Sequence, residues 1–160
     1  MALGQVQEGL SSLTEGLSLE RATGGVTWIP WALTLLGEAY AKLGRFVEAR
    51  DCLAEAAQIT EVTDERFSEA EMHRQLGDLL DGRGDGPAAE QAYHQALIVA
   101  NGQGTKIFEL RAATSLARLW RDQGRHTQAR DLLAPIYAWF SEGFDTPVLQ
   151  DAKALLDQLG

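Results

Sequence analysis

The side chains best suited to catalysis in this sequence are three histidines, His73, His94 and His126, and one cysteine, Cys52. None stands at the spacing its chemistry needs. Helical metal sites draw ligands from positions three or four apart, and no histidine here has a His or Cys partner at that distance. No histidine lies near Cys52 in sequence to stabilise a thiolate, so a packed thiol is expected there. The run Gly82-Arg83-Gly84-Asp85-Gly86 is glycine-rich but lacks the Lys-Ser/Thr pair that holds phosphate and Mg²⁺ in a P-loop. Its Arg-Gly-Asp tripeptide reads as a turn between helices. The sequence therefore offers no catalytic residue, no metal ligand and no cofactor-binding residue. What remains is recognition chemistry. Arg111, Arg118 and Arg121 could grip an acidic segment or an anion through charge-assisted hydrogen bonds, or be spent on local ion pairs such as Arg118–Asp122.

Composition narrows the classes. The chain has 160 residues, 45% hydrophobic and 23% charged, with a net charge of −9. That is an ordinary globular composition. The excess of acid argues against nucleic acid, whose phosphates need cations, and against an anionic membrane surface. Residues 1–100 carry 7 basic against 16 acidic side chains, and residues 101–160 carry 7 against 7. A basic or amphipathic partner for the first two-thirds is one reading, a solvated acidic surface the other. No apolar run is long enough to span a bilayer, the N-terminus has no secretory pattern, and a lone cysteine suits a reducing compartment. A cytoplasmic location is the expectation.

The elements that position these residues follow from an internal repeat of 40 residues. Gly4, Gly44, Gly84 and Gly124 fall on it, as do Gly9, Ala49, Ala89 and Ala129, and then Leu13, Leu53, Tyr93 and Leu133. Ahead of the last three glycines stand Leu36-Gly37-x-x-Tyr40, Leu76-Gly77-x-x-Leu80 and Leu116-Ala117-x-x-Trp120. Apolar and small residues at i, i+3, i+4 and i+7 make one stripe of a helix. Each period then reads as two antiparallel helices, with a turn glycine after the first and small residues where the two cross. The spacing predicts about eight helices, over 5–22, 29–43, 46–60, 65–82, 86–102, 106–123, 126–141 and 146–159.

The blocks Leu33-x₂-Leu36-Gly37-x₂-Tyr40…Ala49-x₃-Leu53, His73-x₂-Leu76-Gly77-x₂-Leu80…Ala89-x₃-Tyr93 and Ala113-x₂-Leu116-Ala117-x₂-Trp120…Ala129-x₃-Leu133 resemble the tetratricopeptide repeat, or TPR. Two features depart from it. The period is 40 rather than 34, near that of HEAT-type repeats, and the closing proline is replaced by Glu61, Asn101 and Ser141. The resemblance implies an all-α, right-handed TPR-like solenoid. Its expected organisation is a single domain over 1–160, with a half unit at 1–28, units at 29–64, 65–104 and 105–145, and a capping helix at 146–160. The orphan half unit suggests a piece of a longer protein, with an apolar face open to self-association. On the block Leu110 to Trp120, Gly124-Arg125, Ala129 to Tyr137 and Trp139 to Thr146, most of the chain, residues 65–159 most sharply, is similar to the C-terminal TPR region of bacterial multidomain proteins. In those, a class III adenylate/guanylate cyclase or a transcriptional regulator domain precedes an ATPase module.

TPR first helices line a concave groove whose side chains choose the partner. By register the groove would be lined by Trp31, Thr34, Glu38 and Ala41, then Glu71, Arg74, Asp78 and Asp81, then Arg111, Thr114, Arg118 and Arg121. The Lys/Asn clamp with which some TPRs hold a C-terminal carboxylate is missing, since Thr34, Glu38, Arg74 and Asp78 stand there. The resemblance implies a non-catalytic module for signal transduction that binds a protein or peptide, including another copy or other domains of a parent protein. The alternative is a ligand-sensing domain that takes a small molecule or acidic peptide in the groove.

Overall fold

The computed structural model describes residues 3–160; Met1 and Ala2, where the half unit is expected to begin, lie outside the described residues. Eight helices follow in order: α1 (Leu3–Thr23), α2 (Ile29–Lys42), α3 (Phe46–Thr63), α4 (Glu69–Asp81), α5 (Gly86–Gln103), α6 (Lys106–Asp122), α7 (His126–Ala138) and α8 (Pro147–Leu159). Helices α2/α3, α4/α5 and α6/α7 form three antiparallel hairpins. The first helices α2, α4, α6 and α8 pack on one another in succession, while the second helices stand further apart, with Arg21 of α1 reaching Glu55 of α3 by an ion pair. The result is an all-α solenoid with its first helices along the inner face.

Each hairpin turn has the same physical origin. Gly44, Gly84 and Gly124 take φ of 73°, 79° and 77°, a left-handed conformation that costs an L-residue with a side chain but not glycine. The next backbone N–H then closes the helix in a Schellman arrangement: Arg45 N donates to Tyr40 O at 2.9 Å, Asp85 N to Leu80 O at 3.0 Å and Arg125 N to Trp120 O at 2.8 Å. The Asp85 side chain also accepts from Ala88 N at 3.2 Å, capping α5. The Arg-Gly-Asp tripeptide is thus a helix-capping turn. In the first and third hairpins the residue after the glycine lays its guanidinium over the aromatic that ends the first helix, Arg45 on Tyr40 at 4.5 Å and Arg125 on Trp120 at 4.6 Å.

Small residues let the paired helices approach. Ala49, Ala89 and Ala129 are fully buried at the crossings. A Cβ on Gly37 would meet Leu53 Cδ2 at 3.3 Å, and one on Gly77 would run into the ring of Tyr93. The partner side chain differs from unit to unit, with Leu53 over Gly37 in the first. Tyr93 lies over glycine, whereas Leu133, the same position in the third hairpin, accompanies Ala117. The core follows this geometry in two main clusters, one from α1–α4 around Leu33, Leu36 and Leu53, the other from α5–α8 around Leu110, Leu116 and Leu133.

Three expectations are corrected. Helix α4 starts at Glu69, not 65. Asp64 ends α3 in a left-handed conformation, φ 59°, and Phe67 folds inward against Trp31. Helix α7 stops at Ala138, not 141, where Trp139 and Phe140 stack edge to face at 5.2 Å. Helix α1 does not present an apolar outer face. Its Val6, Leu10 and Leu17 are buried, while Gly9, Ser11, Ser12, Glu15, Gly16 and Ser18 point outward with Leu19 among them, because most of the apolar stripe packs against α2.

The seam between α3 and α4 is less filled than its counterparts. At the position occupied by Leu17, Leu97 and Tyr137 in the other second helices, α3 carries Ala57, and α4 carries His73 where α6 carries Ala113. A cleft of about 290 Å³ opens there, lined by Leu53, Ala57, Met72, His73 and Leu76. Leu76 is 38% exposed, against 3% for Leu36 and 0% for Leu116 at the same register. Burial in the cleft wall lowers the His73 pKa, in line with a packed imidazole.

Two outcomes follow from this packing. Gly77→Ala should destabilise the protein in denaturant unfolding, since overpacking costs about 1–3 kcal/mol and exceeds the helix-propensity gain of about 1 kcal/mol. In a Tyr93→Leu background the same change should reverse sign. Ala57→Leu should fill the α3–α4 cleft and raise stability by about 0.5–2 kcal/mol, read as a higher denaturation midpoint.

Candidate interaction groove

The inner face formed by α2, α4, α6 and α8 gathers the charged residues that the register assigns to it. At its centre Glu71 is only 2% exposed. Its Oε1 accepts from Arg74 Nε at 2.8 Å and also from Arg74 Nη2, and lies 3.0 Å from Arg111 Nη2. Its Oε2 is buried without a hydrogen-bond partner. Arg74 also donates to Asp78 Oδ2, whose Oδ1 accepts from Tyr93 Oη at 2.8 Å. Arg111 reaches Glu38 at 3.5 Å, and Glu38 accepts from Lys42 at 2.5 Å.

A buried carboxylate is tolerated only when cations and donors replace its lost hydration, and two guanidinium groups do that for Glu71. Burial alone would lower the Arg74 pKa, but Asp78 and Glu71 overcome it and hold the guanidinium above its ordinary value. Burial raises the Tyr93 hydroxyl, and the neighbouring Asp78 carboxylate raises it further. Burial also pushes Glu38 upward, yet the Lys42 hydrogen bond and the charges of Lys42, Arg111 and Arg74 together hold it below the usual carboxylate range.

Beside this network lies a concavity of about 420 Å³. Its charged lining is Lys42, Arg74, Arg111 and Arg118 against Glu38 and Asp151. Arg118 donates to both oxygens of Asp151 on α8, at 2.7 and 2.8 Å. The local Arg118–Asp122 pair is not formed. Asp122 instead accepts from Arg121 at 2.8 Å.

The other register residues scatter. Thr34 is fully buried and donates to Pro30 O at 2.7 Å, so it is not a groove surface. Thr114 donates to Leu110 O at 2.7 Å at the wall of the concavity. Asp81 is exposed near the end of α4. Arg121 leaves the other arginines and bonds Gln158 at 2.7 Å. Trp31 packs against Phe67 and Phe108 with centroids 5.4 and 6.1 Å away. The register missed Lys42, Asp151, Tyr93 and Phe67. Lys42 and Asp151 were within reach of a helical-face count, but Phe67 lies in a loop that periodicity does not place.

Among the described residues no group of three or more His, Cys, Asp or Glu side chains could hold a metal. Cys52 is half-buried, and burial with nearby Glu55 and Asp51 raises its pKa, which keeps it a thiol. His94 lies 3.8 Å from Glu90 and beside the Trp120 ring. No helix of the described residues is long and apolar enough to cross a membrane.

Residues 28–98 and 110–135 match two family profiles, each described as tetratricopeptide repeat. The chain carries tetratricopeptide repeats. It is similar to a solved structure from Podosopora anserina described as a kinesin light chain protein with nearly identical TPR-like repeats. The TM-score is 0.65 at 20% identity, covering 98% of this chain and 78% of that one. A single-substitution variant of the same protein matches with a TM-score of 0.66 at 20% identity, over 98% and 77%. At that identity the likeness is one of fold. The TPR inner face and the ion-pair network coincide here on α2, α4 and α6.

The network carries a pH signature. Glu38, and likewise Glu90 under Arg125 and Trp120, are held below the usual carboxylate range despite partial burial. A lowered folded pKa adds stability that is full above the unfolded value, about 4.3, and drains away as pH falls through the folded value. The melting temperature of Glu38→Gln, followed by circular dichroism from neutral to acid pH, should fall less steeply than that of the parent protein below pH of about 4.3.

Proposed function

We propose that this chain is a non-catalytic, protein-binding TPR module whose inner groove takes an extended acidic peptide segment. One observation carries the reading: the concavity between α2, α4, α6 and α8 is lined by four basic side chains against two acidic ones, in a protein whose net charge is −9. An acidic partner drawn to the rest of the surface would be repelled, so the groove is where it gains most. Arg118 is the accessible anchor, because its guanidinium holds Asp151 through Nη2 alone and can turn to grip a partner carboxylate with two nitrogens. Arg111 and Arg74 are held in place by Glu71, and their charge is largely balanced by Glu71, Asp78 and Glu38, which leaves Arg118 as the cation a partner meets first.

The similarity of residues 65–159 to the C-terminal TPR regions of cyclase- and ATPase-linked signalling proteins supports a role in the bacterial cytoplasm as one part of a multidomain regulator. In that setting the acidic segment would belong to another domain of the parent protein or to a second protein. The same concavity is large enough for a small polyanion, which keeps ligand sensing as the second reading.

The test is isothermal calorimetry with Asp/Glu-rich peptides on the parent protein, Arg118→Glu and Lys42→Glu. Arg118 and Lys42 are 41% and 51% exposed at the side chain, so the variants should fold. Each reversal should weaken binding by at least about tenfold, and affinity should fall as salt screens the contact. Unchanged affinity in both variants sinks the groove reading.

A further inference from the structure

A second concavity lies at the edge of the solenoid where the loops leading into α2 and α4 meet. Trp28, Pro30, Trp31, Glu65, Phe67 and Ser68 line about 270 Å³ there. The rings stand as walls. Trp31 and Phe67 meet at 66° with centroids 5.4 Å apart, and Phe108 from α6 backs both at 6.1 and 5.6 Å. That support fixes the corner, while Trp28 stays 64% and Phe67 53% exposed.

Two polar groups in the same pocket lack partners. Ser68 is 1% exposed and its hydroxyl is buried without a hydrogen bond. Glu65 bonds only through its backbone N–H, to Thr63 Oγ1 at 3.3 Å. The adjacent guanidinium of Arg66 is committed to Asp64, Glu69 and Glu61. Among the described residues Glu65, part of this lining, has no counter-charge on its carboxylate.

Aromatic faces carry the negative side of the ring quadrupole, and several around one space attract a cation. The free carboxylate selects the same charge. A primary ammonium would bring three N–H donors and strong hydration into a space walled mainly by ring carbon, with side-chain acceptors only on Thr27, Glu65 and Ser68. An ammonium whose hydrogens are all replaced by methyl groups has no donor to satisfy and buries carbon against the rings. We propose that Trp28, Trp31 and Phe67, with Glu65, form a binding site for a quaternary ammonium group, borne by a trimethylated lysine side chain or by a free choline-type molecule. This goes beyond the groove reading. The two sites share no lining residue, so failure of one leaves the other standing.

The experiment is a titration of the full chain, ¹⁵N-labelled, with tetramethylammonium chloride, watching the indole N–H signals against sodium chloride at equal ionic strength. Saturable shifts should appear at Trp28 and Trp31 and not at Trp120 and Trp139. The neutral isostere 3,3-dimethylbutan-1-ol should bind at least about tenfold more weakly, the scale of a desolvated cation–π contact. Trp28→Ala should cost about tenfold and Glu65→Gln about threefold. Both side chains lie outside the core, and an unchanged melting temperature confirms the fold. A trimethyllysine peptide preferred over its unmodified form identifies a side chain as the source, and choline preferred over both peptides identifies a free molecule. Equal binding of the neutral isostere, no response beyond sodium chloride, or full affinity in Trp28→Ala overturns the proposal.

Discussion

The structure depends on how closely the two helices of each hairpin can lie. Close packing leaves no room for a side chain at the crossing, so one helix supplies Gly37, Gly77 or Ala117 and the other Ala49, Ala89 or Ala129. Everything else is adjusted to that spacing. The large residue four positions further on fills the remaining groove, with Leu53 over Gly37, Tyr93 over Gly77 and Leu133 beside Ala117. Interiors packed to this density respond to a single methyl group. The turn glycines set the helix ends so that these positions meet.

Once the hairpins are fixed, their stacking decides where charge can be buried. Stacked first helices bring Glu38, Glu71 and Arg111 from three successive units onto one face, and α8 adds Asp151 beside Arg118. A buried ion pair stabilises little when its desolvation is counted. Its effect here is to orient. Glu71 holds Arg74 and Arg111 in place, and Tyr93 ties Asp78 back to α5. The inner face is thereby a rigid charged surface, with Arg118 at its accessible end.

Stacking is not uniform along the chain. Between α3 and α4 the small Ala57 and the bulky His73 leave a cleft where other seams are filled. At the neighbouring edge Asp64 ends α3 in a left-handed turn that swings Phe67 between Trp31 and Phe108. Aromatic area thus stands at the rim, beside Glu65, which among the described residues has no ion pair.

The repeat register alone determined the helix count, the hairpin turns, the small-residue crossings and a helix after Pro147, because these rest on local backbone geometry and on spacing within one unit. It also placed Glu38, Glu71, Arg74, Asp78 and Arg111 on one inner face. It did not determine which of them are free. Thr34 is buried, Arg118 pairs with α8 rather than with Asp122, Arg121 turns away, and the outer face of α1 is polar. Only the tertiary structure decided the partners across units, since the superhelical stacking sets the reach between side chains as far apart in sequence as Glu38 and Arg111, 73 residues. A periodic pattern fixes the angle of a side chain about its own helix axis, and says nothing of what stands opposite when one unit is laid on the next.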